Sequence, residues 1–272
     1  IFVLHLGIRG AAIATVLSQC LSAGFVLYFL SKKAEFKIHL LYKEEIRHCG
    51  KDAKNIVSLG AAGFVMQLTN SLVSICCNNI LAATGGDVYI SVMTIISSVR
   101  QMIETPIWSI SEGSSPVISY NYGAKRPKKV IEAWLTMSVL ALIYSLIAWS
   151  VILFAPKFLI GIFSSDKSLM IDTVPAMKLY FAAFIFMLFQ YTGQTMFKSL
   201  NKKKQAIFFS ILRKVIIVVP LTYIFPYVFH MGSNGVFMAE PVSNVIGGSL
   251  CFIVMLLTVV PELKRMNPDL SS

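Results

Sequence analysis

Charge is what this chain has least of. Only 14% of its 272 residues are Asp, Glu, Lys or Arg, against about 25% in an ordinary soluble domain. Acid is scarcer than base, with 13 Asp and Glu beside 24 Lys and Arg. No acid falls between Lys54 and Gly86, and none between Thr173 and Leu200. The four histidines, His5, His39, His48 and His230, are scattered at helix ends and linkers. No His-Glu-x-x-His, nucleophile elbow or phosphate loop is present, so the sequence carries none of the common soluble catalytic signatures. An intramembrane enzyme would need a paired carboxylate, a His cluster or a Ser/Lys arrangement at shared depth, and none is legible. Cys20, Cys76, Cys77 and Cys251 lie within apolar segments and Cys49 in a basic loop, which excludes an extracellular disulfide framework and leaves free thiols as small apolar residues.

What fills the chain instead is apolar. Hydrophobic residues make up 56% and the mean hydropathy is +0.72. Runs of about 18 or more residues with few charges, enough to cross a hydrocarbon core of roughly 30 Å, recur at about 8–31, 55–82, 88–119, 130–154, 174–197, 206–229 and 234–260. The expectation is an all-α polytopic membrane protein with seven transmembrane helices.

The bases collect in alternate gaps. Lys32, Lys33, Lys37, Lys43, Arg47, Lys51 and Lys54 follow the first helix, and none lies in Ala83–Asp87. Lys125, Arg126, Lys128 and Lys129 follow the third, Lys157 and Lys167 the fourth, and Lys198, Lys202, Lys203 and Lys204 the fifth. Lys264 and Arg265 follow the last. Cytoplasmic loops accumulate Lys and Arg, so the gaps after helices one, three, five and seven are expected inside, with the C-terminus cytoplasmic. That distribution explains the net charge of +11 without nucleic acid. Ile1 is then expected outside. The chain opens on Ile-Phe-Val-Leu, and residues 1–31 show neither a basic n-region nor a cleavage site; the expectation is a truncated N-terminus.

Residues 32–54 read as a basic amphipathic cytoplasmic linker, with Ile38, Leu40, Leu41 and Ile46 among the bases. It separates residues 1–31 from a six-helix unit at 55–260, followed by a tail at 261–272. Six helices after a linker suggest half of a duplicated transporter. Pro106, with Gly113 and Pro116 after it, Pro220 and Pro226, and Pro241 fall inside predicted spans, where each removes a backbone donor. Kinks are expected there, either as ordinary membrane-helix features or as hinges.

Charges at membrane depth cost roughly 2.5 kcal/mol or more each and face a cavity or a partner. Arg100 and Glu104, one turn apart, form either an ion pair or a cavity-facing carboxylate. Glu112 is hydrated or a gate contact, and Glu240 is a local structural partner or a functional carboxylate. Lys178, Arg213 and Lys214 are expected to snorkel to helix ends. The amides Gln67, Asn70, Gln190 and Gln194 line a cavity or join helices.

One segment is more specific than these patterns. Ser114-Ser115-Pro116-Val117-Ile118-Ser119-Tyr120-Asn121-Tyr122-Gly123-Ala124-Lys125 closely resembles a signature in the C-terminal half of the multidrug and toxic compound extrusion (MATE) family. Gly10–Thr15 with Ser18-Gln19 is similar to that family's sixth helix, and Pro220 to Pro226, Gly235-Val236 and Glu240-Pro241 to its last two. The resemblance implies that residues 1–31 are the last helix of an N-terminal lobe, that 55–260 are a six-helix C-lobe, and that the first five helices are absent. It implies an antiporter exporting amphipathic or cationic compounds in exchange for Na⁺ or H⁺, without a cofactor, in the plasma membrane, with the missing N-terminal lobe as partner. Glu112, Pro116, Tyr120, Asn121 and Gly123 are then the gate and signature residues. Some members bind the coupling cation through acids in helices seven and ten, where this chain has Gln67 or Asn70, and Gln190; a carboxylate in the absent lobe becomes the expectation. The alternative is a lipid-linked oligosaccharide flippase of the same superfamily, whose cavity would hold more bases.

Overall fold

A computed structural model describes residues 7–33, 50–164 and 166–266. The body of the predicted amphipathic linker, Cys49, and the tail beyond Met266 lie outside the described residues. The described chain is all-helical and divides into two units, Ile1–Val57 and Ser58–Ser272.

In the first unit, α1 (Gly7–Tyr28) continues through a π turn (Phe29–Lys33). In the second run α2 (Gly50–Gly123, beginning in the first unit), α3 (Pro127–Phe154), α4 (Pro156–Phe163), α5 (Lys167–Tyr180), α6 (Phe184–Ser199), α7 (Lys203–Tyr227) and α8 (Ser233–Met266). Among the described residues, five helices are long and apolar enough to cross a membrane, or six if α5 and α6 are one bent span. The stretch Gln67–Gly123 has 57 residues, and at about 1.5 Å per residue it is nearly three times as long as a hydrocarbon core is thick.

Where α2 breaks differs from expectation. The predicted loop Ala83–Asp87 is helical apart from Gly86, whose φ of 69° and ψ of −166° lie in a region essentially reserved for glycine. The backbone stays helical through Pro106 and Pro116, so Gly86 alone interrupts α2. In α7 and α8 the prolines sit beside widened turns. Residues Leu212–Val218 form a π turn just before Pro220, and Asn244–Gly248 another just after Pro241. The ring of Pro220 crowds the carbonyl four residues back, that of Ile216, and the π turn accommodates the clash. Pro226 is buried in the last turn of α7.

The predicted helix at 174–197 is two helices bent by 50°. No proline lies at that bend. At the bend the carbonyl of Phe181 accepts two bonds, from the backbone N–H of Phe184 at 3.1 Å and from the indole N–H of Trp149 of α3 at 3.0 Å. The short α4 was not anticipated, and α8 continues six residues beyond the predicted end.

Apolar stripes explain the packing. Val92, Ile96, Val99, Ile103 and Ile107 recur every three or four residues along α2 and bury with Phe181, Phe184 and Phe237. A second cluster joins Ile118, Met137, Phe197, Met255 and Val259. Small residues bring α6 and α8 close: a Cβ on Gly248 would lie 2.6 Å from the carbonyl oxygen of Phe186. Outward, large apolar side chains such as Phe25, Leu140, Ile147 and Phe154 stay exposed, as lipid-facing surface requires.

Asp166 caps α5. Its carboxylate accepts from the hydroxyl of Ser168 at 2.7 Å and from the backbone N–H of Ser168 at 2.8 Å. These bonds, the hydroxyl's first, hold its pKa below the usual carboxylate value. A lowered folded pKa means that the cap stabilises at neutral pH and is lost as pH falls through the lowered value. Amide exchange at Ser168–Met170 is expected to accelerate on acidification, and at neutral pH in Asp166→Ala but not in Asp166→Ser. Equal exchange in Asp166→Ala and the wild type would contradict the cap.

Candidate functional site

Five helices converge on one buried polar cluster. Arg100 of α2 donates from Nε to Glu104 one turn along, and from Nη1 to the Tyr180 hydroxyl of α5 at 2.8 Å. The other oxygen of Glu104 accepts from the Tyr191 hydroxyl of α6 at 3.2 Å. Glu240 of α8 meets three bases: Lys214 Nζ at 3.0 Å, Arg213 Nη1 at 3.1 Å and Arg100 Nη2 at 3.8 Å. Arg213 Nη1 also donates to Asn244 Oδ1 at 2.6 Å. Arg100 therefore connects the two carboxylates.

The adjacent bases lie in the π turn of α7. They are 7% and 4% exposed, and Glu240 is 5% exposed. The expectation that Arg213 and Lys214 snorkel to the surface is thus overturned. The reason is depth: Lys214 is roughly 16 Å along the axis from Lys203, about half a hydrocarbon core, beyond what a lysine stem spans. Lys178 does stay exposed. Tyr180, Tyr191 and Asn244 are further site residues that pattern reading passed over, since a tyrosine in an apolar helix is most simply packing. The adjacent Arg213-Lys214 midway along an apolar helix was the available signal.

The cluster borders two cavities. The larger, about 430 Å³, touches Arg100, Glu104, Tyr180, Lys214 and Glu240. The smaller, about 300 Å³, touches Gln190, Gln194, Lys198, Ser210 and Arg213. Gln67, Asn70, Arg100, Glu104, Trp108, Tyr191 and Lys214 line both, so the two are contiguous. The structure places all seven predicted cavity residues, Gln67, Asn70, Arg100, Glu104, Gln190, Gln194 and Glu240, on these walls.

The signature residues lie elsewhere. Pro116, Tyr120 (71% exposed), Asn121 and Gly123 end α2 and touch neither cavity; Asn121 donates to the carbonyl of Val117 at 2.9 Å. Their neighbours tie helix ends together. Ser115 meets the Ser199 hydroxyl at 2.8 Å, Ser119 donates to the Ser199 carbonyl at 3.0 Å, and Tyr122 donates to Glu262, which also pairs with Lys202. Glu112 lines the smaller cavity and pairs with Lys198 at 2.8 Å, their side chains 40% and 35% exposed. Among the described residues, no group of three His, Cys, Asp or Glu could hold a metal ion.

Long apolar helices around a charged cavity define an integral membrane protein. The chain belongs to the MATE family of membrane transporters, whose sequence model, MatE, matches residues 62–224. It is 23% identical over its whole length to the multidrug export protein MepA of Staphylococcus haemolyticus, of which it covers 58%. It is 26% identical over 61% of its length to the probable multidrug resistance protein NorM of Thermotoga maritima, covering 35% of that protein. Among solved structures, a MATE in complex with MaL6 superposes with a TM-score of 0.83 at 22% identity, over 97% of this chain and 59% of that one. An inward-facing MATE transporter gives 0.74 over 98% and 61%. The chain thus spans little more than half the length of the relatives it matches.

Proposed function

We propose that this chain is the C-terminal part of a secondary active exporter that expels amphipathic compounds, organic cations among them, in exchange for Na⁺ or H⁺. The observation that carries this reading is the charged cavity inside an apolar helix bundle, in a family whose relatives include multidrug export proteins.

On this reading the chain crosses the membrane seven times: α1, the two arms of α2 about Gly86, α3, the α5–α6 pair, α7 and α8. The last six form the C-lobe, and α1 is the final helix of an N-lobe that the full-length protein supplies. The bases at the α2–α3 and α6–α7 connections and at the end of α8 support a cytoplasmic position for those ends, with the plasma membrane as the proposed location. The widened turns beside Pro220 and Pro241 are the hinges for alternating access. Both deep acids are already ion-paired, Glu104 with Arg100 and Glu240 with three bases, which supports a coupling carboxylate in the N-lobe.

Cells carrying the full-length protein are expected to lose ethidium faster than cells without it, and collapse of both ion gradients should stop the excess loss. Unchanged efflux without any gradient would contradict ion coupling. One observation favours a second reading: Arg100, Arg213 and Lys214 gather at one cavity, as a flippase of pyrophosphate-linked lipids would require. Gradient-independent translocation of a lipid-linked sugar in proteoliposomes would establish it.

A further inference from the structure

The charges around the two cavities do not balance. Four bases line them, Arg100, Lys198, Arg213 and Lys214, against the three acids Glu104, Glu112 and Glu240. Every one of these acids has a basic partner, so the wall offers no free carboxylate to an organic cation. The imbalance concentrates at the smaller cavity, which all four bases touch and Glu240 does not. A surplus charge at membrane depth is costly unless a counter-charge meets it.

Arg213 also has unused capacity. A guanidinium carries five N–H donors, yet both bonds that Arg213 makes leave from Nη1, to Glu240 and Asn244. Its Nε is buried and has no partner. The Nε–Nη2 edge of a guanidinium is a fork that a carboxylate or phosphate accepts through two oxygens. Lys214 lies beside it in the same π turn, its ammonium on both oxygens of Glu240 at 3.0 and 3.4 Å with a third donor left over. Trp108 and Tyr191 supply aromatic surface alongside.

We infer that the smaller cavity is a subsite for an anionic group, a carboxylate or a phosphate monoester or diester, held by Arg213 and Lys214 with the ligand's aromatic or apolar body against Trp108 and Tyr191. This rests on the export reading for its transport consequence, but not for binding. It adds amphipathic anions and zwitterions to the organic cations of the proposed exporter. A zwitterion fits well, because its cationic part can turn toward Trp108, Tyr180 and Tyr191, whose ring faces attract cations.

A matched pair of dyes tests the subsite. Rhodamine 110 carries a free carboxyl, and rhodamine 123 is its methyl ester on the same body. Fluorescence titration of the detergent-solubilised full-length protein is expected to show the acid binding about tenfold or more tightly, the value of one good charged contact. Lys214→Gln, which equalises the bases and acids on the walls, should erase the preference, and Lys214→Arg should keep it. Arg213→Gln should also erase it. Should that variant not fold, because Glu240 loses a partner, Lys214→Gln carries the test alone. Competition identifies the source of the anion. Displacement of rhodamine 110 by dioctanoyl phosphatidylglycerol but not by uncharged dioctanoylglycerol assigns the site to a lipid headgroup; displacement by neither assigns it to soluble amphiphiles. Equal or tighter binding of the ester, unchanged in Lys214→Gln and with no effect of the anionic lipid, overturns the subsite, and the surplus base then answers a carboxylate of the N-lobe. Preferential binding of the acid without gradient-driven transport of either dye in proteoliposomes overturns the export reading while the subsite stands.

Discussion

Replacing Glu240 by Gln is expected to destabilise the full-length protein by about 3–5 kcal/mol, the range for removing one partner from a buried ion cluster. Glu240 is the only acid within reach of Lys214 and Arg213 among the described residues, and it meets Arg100 as well. Without it, those two bases face each other at membrane depth with no ion-pair partner, and Arg100 keeps only Glu104. The same logic predicts a rescue. Lys214→Gln in the Glu240→Gln background removes one of the orphaned bases and should recover a large part of the loss. Thermal unfolding of purified protein in detergent reads both. A Glu240→Gln variant as stable as the wild type, or a double variant less stable than the single, would show that the cluster is not coupled as its geometry indicates.

Replacing Gly247 by Leu is expected to cost about 1–3 kcal/mol, as overpacking does, and to dislodge Arg213. A Cβ at Gly247 would lie 2.9 Å from Arg213 Cγ and 3.0 Å from Arg213 Cβ. These atoms sit next to the backbone, so α7 itself must move. The π turns of α7 and α8 approach closely here, and glycine permits it. Gly247→Ala should show a smaller effect of the same sign, and both should weaken rhodamine 110 binding. Wild-type stability and binding in Gly247→Leu would contradict the close approach.

Most of the helical layout was legible because lipid imposes a simple rule: a backbone crossing it must satisfy its own hydrogen bonds, so apolar length alone marks a helix. The segments ending near Phe154, Ser199 and Tyr227 follow from that rule. The break at Phe181 was not legible, because no proline or glycine marks it and the indole of Trp149 that meets it is distant in sequence. Neither were the π turns, since proline announces a disturbance but not the direction in which the backbone yields. In the cavity, Arg100 and Glu104 were legible from one-turn spacing within a single helix. Arg213 and Lys214 were misjudged because their partners, Glu240 and Asn244, lie on another helix, and a lone base on an apolar helix has no visible reason to stay inside.

The most direct test of the transport reading is ethidium movement in proteoliposomes holding the full-length protein, with a pH gradient and a Na⁺ gradient imposed separately. The comparison is with the Glu240→Gln/Lys214→Gln double variant, verified as folded. Ethidium should move against its gradient under one of the two ions, stop when that gradient is collapsed, and slow in the double variant because the cavity wall has changed. Movement that ignores both gradients, or a double variant that transports like the wild type, would contradict a coupled exporter working through this cavity.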